Sequence, residues 1–208
     1  MPKNYVSNGT VSERMFKNGF MESLSKVHYT VPLFIYLPVI AVFIYRSFFT
    51  LHNTPGWFVL YLLAGIFIWT ITEYLLHRYI FHFVPKSRWG LRLHFIFHGV
   101  HHDYPRDSKR LVMPPSASIP LALLFYFLFL WLLPARMMDA FFAGFLIGYL
   151  VYDMTHYAIH HGNFKSRLMK SIKQHHMLHH YSDSTKGYGV SSSLWDIFFQ
   201  SGFKDKKQ

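Results

Sequence analysis

Cysteine is absent from the 208 residues. That excludes disulfides, thiolate metal ligands and thiol nucleophiles, and it leaves the redox compartment open. The chain also lacks an early apolar stretch. Residues 1–30 are polar and carry Lys3, Arg14, Lys17 and Lys26, so a cleaved signal peptide is not expected. A segregated basic domain is missing too, although the formal net charge is +11. The Lys and Arg residues flank apolar runs instead, which favours a membrane surface over nucleic acid as the partner. The terminal Lys204-Asp205-Lys206-Lys207 reads as a solvated tail.

What is abundant points the same way. Hydrophobic residues make up 51% of the chain and charged residues only 15%, a mixture that fits membrane helices joined to a polar cap. Four apolar runs stand out: Val31–Leu51, Trp57–Leu76, Ala117–Leu133 and Ala140–Tyr152. A helix needs about 20 residues to cross the hydrocarbon, so these runs are near that length or slightly short, which implies tilt or a thin bilayer. Pro32 and Pro38 can kink the first. The links His52–Gly56 and Pro134–Asp139 are short, so the runs pair into two hairpins. Residues 1–30, 77–116 and 156–208 then share one side of the membrane. Nineteen of the 21 Lys and Arg fall in those three segments, Arg46 and Arg136 being the exceptions. The positive-inside rule places that side, with both termini, in the cytoplasm. The expected architecture is all-α and a single domain: segment 1–30, a first hairpin 31–76, a cap 77–116, a second hairpin 117–155 and a further cap 156–208.

Histidine is the anomaly, with 15 residues. Ten fall in four groups: His77 and His82; His98, His101 and His102; His156 and His160; His176, His179 and His180. On a helix, positions i, i+3 and i+4 share a face, so each triplet and the His156/His160 pair present their rings together. His77 and His82 are five apart, which fits a helix end or a local break. All ten lie on the cap side. Ten imidazoles exceed what one ion accepts, so two ions are expected, and imidazole suits iron, zinc, copper or nickel. Asp153 and Glu73, each about one turn from a histidine, are expected to accept an imidazole N–H and fix its tautomer. Spacing would also admit His94, whereas His161 and His175 point off the shared faces; these three are read as supporting or packing residues. His28 and His52 lie elsewhere.

The order His-x4-His, His-x2-His-His, His-x3-His, His-x2-His-His resembles the membrane fatty acid hydroxylase and sterol desaturase superfamily. The segments Glu73–Arg78, Asp107–Pro115, Tyr152–Tyr157, Lys186–Gly189 and Leu194–Asp196 are similar to those of its fatty acid 2-hydroxylase branch, across residues 25–200. The resemblance implies a di-iron centre on those ten histidines, with His94, His161 and His175 not counted as ligands. It implies dioxygen as co-substrate and hydroxylation of a lipid acyl chain beside its carbonyl. Many members carry a cytochrome-b-type haem domain, which these residues do not include, so the expected electron donor is a separate protein. The compartment would be the endoplasmic reticulum or a bacterial inner membrane, according to source. Arg110 and Lys186 are candidates to hold a lipid head group, and Tyr152, Tyr157 and Tyr188 to shape an acyl channel. Zinc also suits an all-histidine set, although it cannot cycle electrons. Two other readings stand beside this one: a sterol or carotenoid oxidase of the same superfamily, and a membrane protein that transports or stores metal.

Overall fold

The computed structural model describes residues 6, 7 and 9–203. Lys3 and the Lys204-Asp205-Lys206-Lys207 tail lie outside the described residues. Among the described residues there is no strand. The helices are α1 (Gly19–Leu24), α2 (Val31–Phe49), α3 (Pro55–Leu75), α4 (Arg88–His94), α5 (Val100–Asp103), α6 (Pro115–Leu132), α7 (Ala135–His161), α8 (Arg167–Tyr181) and α9 (Leu194–Phe198). Two π-helical segments interrupt this pattern. Leu76–Phe81 continues α3, and Phe95–Gly99 joins α4 to α5.

Four helices are long and apolar enough to cross a membrane: α2, α3 with its π-helical extension, α6 and α7. Each apolar run becomes one helix. The second and fourth are longer than their runs suggest, at 27 residues each: both continue into the histidines, and the fourth also starts at Ala135, so all of the expected link Pro134–Asp139 except Pro134 is helix. Proline opens α2, α3 and α6 within their first two positions, where its missing N–H is not needed. Pro38 lies inside α2, which runs unbroken through it.

The helix α7 is the hub. It is mostly buried, whereas the other three spans present large apolar side chains outward, such as Phe34, Leu63 and Trp131. Close approach to α3 is possible because the crossing is built on glycine. A Cβ on Gly65 would stand 1.9 Å from the Phe141 carbonyl oxygen, and one on Gly144 would stand 2.0 Å from that of Leu62. Small residues at such crossings let backbones touch, which is the main source of helix association in lipid. Around the contact, Trp69, Phe145 and Tyr149 pack edge to face at 5.1–5.4 Å.

The turn between α2 and α3 meets the start of α7 at one end. Asn53 Nδ2 donates to Ser47 Oγ and to the Arg136 carbonyl, both at 2.9 Å, and Arg136 Nε donates to Asn53 Oδ1 at 3.2 Å. Arg46 pairs with buried Asp139 at 3.0 Å close by. The histidines gather at the opposite end. There the N-terminal segment straps the cap: Val27 N–H donates to the Lys109 carbonyl, and Ser12 Oγ to Asp107.

Candidate metal centre

The ten grouped histidines converge, and they do so in two sets of five. One set is His77, His82, His98, His102 and His179; the other is His101, His156, His160, His176 and His180. Within each set one ring nitrogen from every residue lies within 4.8 Å of all the others. The sets are adjacent, since the rings of His102 and His180 stack at 4.3 Å.

Local backbone geometry sorts the rings. His77 and His82 face one way because the segment between them is π-helical, with the His82 N–H donating to the His77 carbonyl five residues back. A π-turn places i and i+5 on one side, so the five-residue spacing is a regular face here. The pair His156/His160 uses ordinary α-helical i, i+4 spacing on the last turns of α7. Each triplet divides between the sets. His98 and His102 go to the first set and His101 to the second; His176 and His180 go to the second and His179 to the first. The i and i+4 rings thus point to one centre and the i+3 ring to its neighbour.

The chemistry of the donors fits a cation. His77 Nδ1 lies 2.5 Å from the Tyr188 carbonyl oxygen, and His179 Nδ1 lies 2.6 Å from that of Lys186. A carbonyl only accepts, so both Nδ1 atoms carry the proton and both Nε2 atoms are bare. Yet those Nε2 atoms sit 2.9–3.3 Å from Nε2 of His82, His98 and His102. Clustered lone pairs repel unless a positive ion lies between them. Burial, the largest cause in each case, also keeps the rings neutral. It pushes His82 down to about 2 and His179 to about 4, and His98, His101, His102, His176 and His180 well below the ordinary range. Neutral imidazole is the ligand form. The histidine clusters can therefore hold metal.

The supporting carboxylates are arranged differently from the expectation. Glu73 meets no imidazole. Its Oε1 accepts from Val190 N–H and Ser191 N–H at 2.8 Å, and its Oε2 from Ser191 Oγ at 2.5 Å. Asp153 Oδ1 accepts from Met113 N–H at 3.3 Å. In both cases a backbone N–H reaches the buried carboxyl before any ring does. Asp196, which the motif reading passed over as a supporting residue, is fully buried. Its Oδ2 accepts from His175 Nε2–H (2.9 Å) and Gly189 N–H (2.7 Å), and its Oδ1 from Tyr188 N–H (3.0 Å) and Ser201 Oγ (2.7 Å). Burial works to raise the Asp196 carboxyl, but these bonds outweigh it and hold it below the usual carboxylate range. A buried acid near the last histidine motif, Leu194-Trp195-Asp196, was the available signal.

His175 is thus Asp196's partner, His94 belongs to neither set, and His161 packs on Tyr157 at 4.9 Å. Tyr188 is buried against His77, His82 and His179, with Arg78 over its ring at 5.5 Å. Tyr152 lies between Trp69 and His156, 5.8 Å from each. Tyr157 stacks on Tyr29 at 4.4 Å.

The two head-group candidates are engaged within the protein. Lys186 Nζ pairs with Asp183 Oδ2 at 2.8 Å on the surface. Arg110 is a correction to the sequence expectation. Its side chain is 3% exposed and donates to Glu22 at 2.8 Å and to Asp107 at 3.4 Å. It cannot reach a lipid phosphate, because the N-terminal strap covers it. Replacing Arg110 with alanine leaves Asp107 buried and less compensated, a loss of about 3 kcal/mol or more. The expected result is a lower midpoint of thermal unfolding with an unchanged KM for lipid substrate. A raised KM at unchanged stability would reinstate the head-group role.

Comparison with known proteins agrees with this geometry. The family model described as fatty acid hydroxylase matches residues 62–201. The dihydroceramide fatty acyl 2-hydroxylase FAH1 of Arabidopsis thaliana is 41% identical over 187 residues, covering 89% of this chain and 78% of that protein. The ceramide very long chain fatty acid hydroxylase SCS7 of Saccharomyces cerevisiae is 39% identical, covering 95% of this chain and 50% of its own length. The human fatty acid 2-hydroxylase is 38% identical, with 89% and 55% covered. The chain therefore spans about half the length of the yeast and human relatives. A solved structure described as full-length scs7p, with only the hydroxylase domain visible, superposes with a TM-score of 0.85 at 36% identity, covering 92% of this chain and 72% of that one. With two thirds of its length matched by the family model, and with relatives this similar, the chain belongs to the fatty acid hydroxylase family.

Proposed function

We propose that this protein hydroxylates a lipid acyl chain at the carbon beside its carbonyl, at a centre of two iron ions held by the two histidine sets. The observation that carries the reading is the convergence of ten neutral imidazoles, five to each centre, at one end of four apolar helices. His77, His82, His98, His102 and His179 would hold one ion, and His101, His156, His160, His176 and His180 the other. When bound, iron supplies the dioxygen activation and electron transfer that no side chain here provides. An all-imidazole set also admits zinc, so iron is identified through the reaction and not through affinity.

The rest is the work of the chain. His77 and His179 direct their Nδ1 protons to the Tyr188 and Lys186 carbonyls and keep Nε2 free. Burial excludes bulk water from the rings. The acyl chain is positioned, not chemically activated, by the protein. Between the spans, Tyr36, Trp69, Met113, Ser118, Phe125 and Tyr149 line an almost wholly apolar cavity of about 20 Å³. Trp69 and Tyr152 lead from it towards His156. An acyl chain entering from the bilayer between α6 and α7 follows that path. Ala122 also lines the cavity, so Ala122→Trp should fill it and exclude the longest chains. The product distribution then shifts to shorter acyl groups, read by mass spectrometry; an unchanged distribution removes the cavity from the path.

In this reading the chain is one membrane hydroxylase domain, with hairpins at 31–76 and 117–155 and caps at 77–116 and 156–208. The caps and both termini face the cytoplasm, and a separate electron-transfer protein supplies reducing equivalents. The test is expression in a host that supports a positive-control hydroxylase. New 2-hydroxy acyl lipids are expected. Their absence, with the control active, shifts the assignment to sterols or carotenoids.

A further inference from the structure

We propose that residues 186–191 form a backbone clamp that makes the two metal sites unequal, the site of His77, His82, His98, His102 and His179 taking its ion first and holding it more tightly. The proposal rests on the metal-binding reading above and goes beyond it, because it assigns Glu73 and Asp196 as positioning residues for one site only.

The clamp is built from main chain. Its carbonyls at Lys186 and Tyr188 fix the tautomer and the rotation of His179 and His77. Those carbonyls are aimed by what holds the loop. Glu73, 4% exposed on α3, takes Val190 N–H, Ser191 N–H and Ser191 Oγ. Asp196, fully buried on α9, takes Tyr188 N–H and Gly189 N–H. Further bonds brace Asp196 itself: Ser201 Oγ lies 2.7 Å from its Oδ1 and 2.7 Å from the Tyr74 hydroxyl, and Arg78 donates to that hydroxyl at 2.6 Å. Gly187 enters the loop at φ +71°, a left-handed conformation that glycine adopts without strain. Its N–H donates to the Ser201 carbonyl at 2.9 Å. The loop is therefore tied at both ends before any ion arrives.

The second site has no counterpart. His160 has the Pro105 carbonyl nearby and His156 that of Leu111. Among the described residues, however, His101, His156, His176 and His180 keep Nδ1 buried with no hydrogen-bond partner, so the Leu111 carbonyl does not close on His156. Nothing in the protein selects their tautomers, so part of the binding energy goes into fixing them. Outer partners of ligating histidines are typically worth about 10–100-fold in metal affinity.

Asp196→Asn is the informative variant, because it turns an acceptor into a donor facing the Gly189 N–H. Zinc binding to purified, chelator-stripped full-length chain is measured by competition with a chromophoric chelator. Two backgrounds isolate the sites by removing four rings from one set: His101→Ala/His156→Ala/His160→Ala/His176→Ala leaves the clamped site, and His77→Ala/His82→Ala/His98→Ala/His102→Ala leaves the other. The clamped site alone is expected to bind zinc at least about 10-fold tighter than the other alone. Asp196→Asn should weaken zinc about 10–100-fold in the first background and leave the second unchanged. Retained affinity in the second background also reports that the variant folds. Equal affinities, or equal weakening in both backgrounds, overturn the inequality and the clamp. Zinc binding in neither background overturns the metal reading itself.

Discussion

Replacing His176 and His180 together by alanine is expected to abolish hydroxylated product and to lower bound metal from about two ions per chain towards about one. The two rings lie in the same set, 3.0 Å apart at Nε2, and their loss leaves His101, His156 and His160. Three imidazoles hold an ion more weakly than five, while the neighbouring set keeps all five of its rings. The measurement is elemental analysis of purified protein beside mass spectrometry of cellular acyl lipids. His179→Ala is the instructive companion. It is adjacent to His180 in sequence, yet it removes a ring from the other set. Single-site metal loss from opposite centres by neighbouring residues is a pattern that general misfolding does not produce. Two ions retained together with normal product in the double variant would refute the ligand assignment.

The largest expected effect on folding comes from Gly144→Leu. The crossing of α3 and α7 leaves no room there: a Cβ alone would overlap the Leu62 carbonyl oxygen at 2.0 Å. A leucine forces the two helices apart along the most buried helix of the molecule. The loss is about 3 kcal/mol or more, a large fraction of the total stability. Size-exclusion profiles in detergent and thermal unfolding give the readout. Gly56→Ala serves as the control, because a Cβ at Gly56 meets nothing within 4 Å and alanine favours a helix. Equal stability of the two variants would show that α3 and α7 do not meet at Gly144.

The contrast between these predictions reflects what a sequence displays. The spans were legible because apolar runs of membrane length have few alternatives. The ten histidines were legible because their spacing is unlike that of a solvated surface. Their division between two centres was not. An i, i+3, i+4 triplet reads as one face, and only the placement of the π-helical segments and of α8 shows that the i+3 ring turns to the neighbour. The roles of Glu73 and Asp196 were hidden for another reason. Each binds backbone N–H groups, and backbone carries no residue signature. Arg110 misled because a basic residue beside a membrane suggests a phosphate, whereas its partner Glu22 lies 88 positions away. The extra length of α7 was obscured because its last turns are polar and therefore ended the apolar run early.

The unequal contribution of the chain to the two histidine sets has a consequence for biosynthesis. Four of the five rings of the clamped set, His77, His82, His98 and His102, precede α6. The other set has only His101 before that point. A nascent chain that has inserted just its first hairpin already carries a nearly complete donor set for one ion and almost nothing for the second. His179 closes the first set, and His156, His160, His176 and His180 create the second, only after the second hairpin is in place. With two ions bound as proposed, the first donor set would be nearly complete on a half-made membrane protein, and the second would form only once the two hairpins have met.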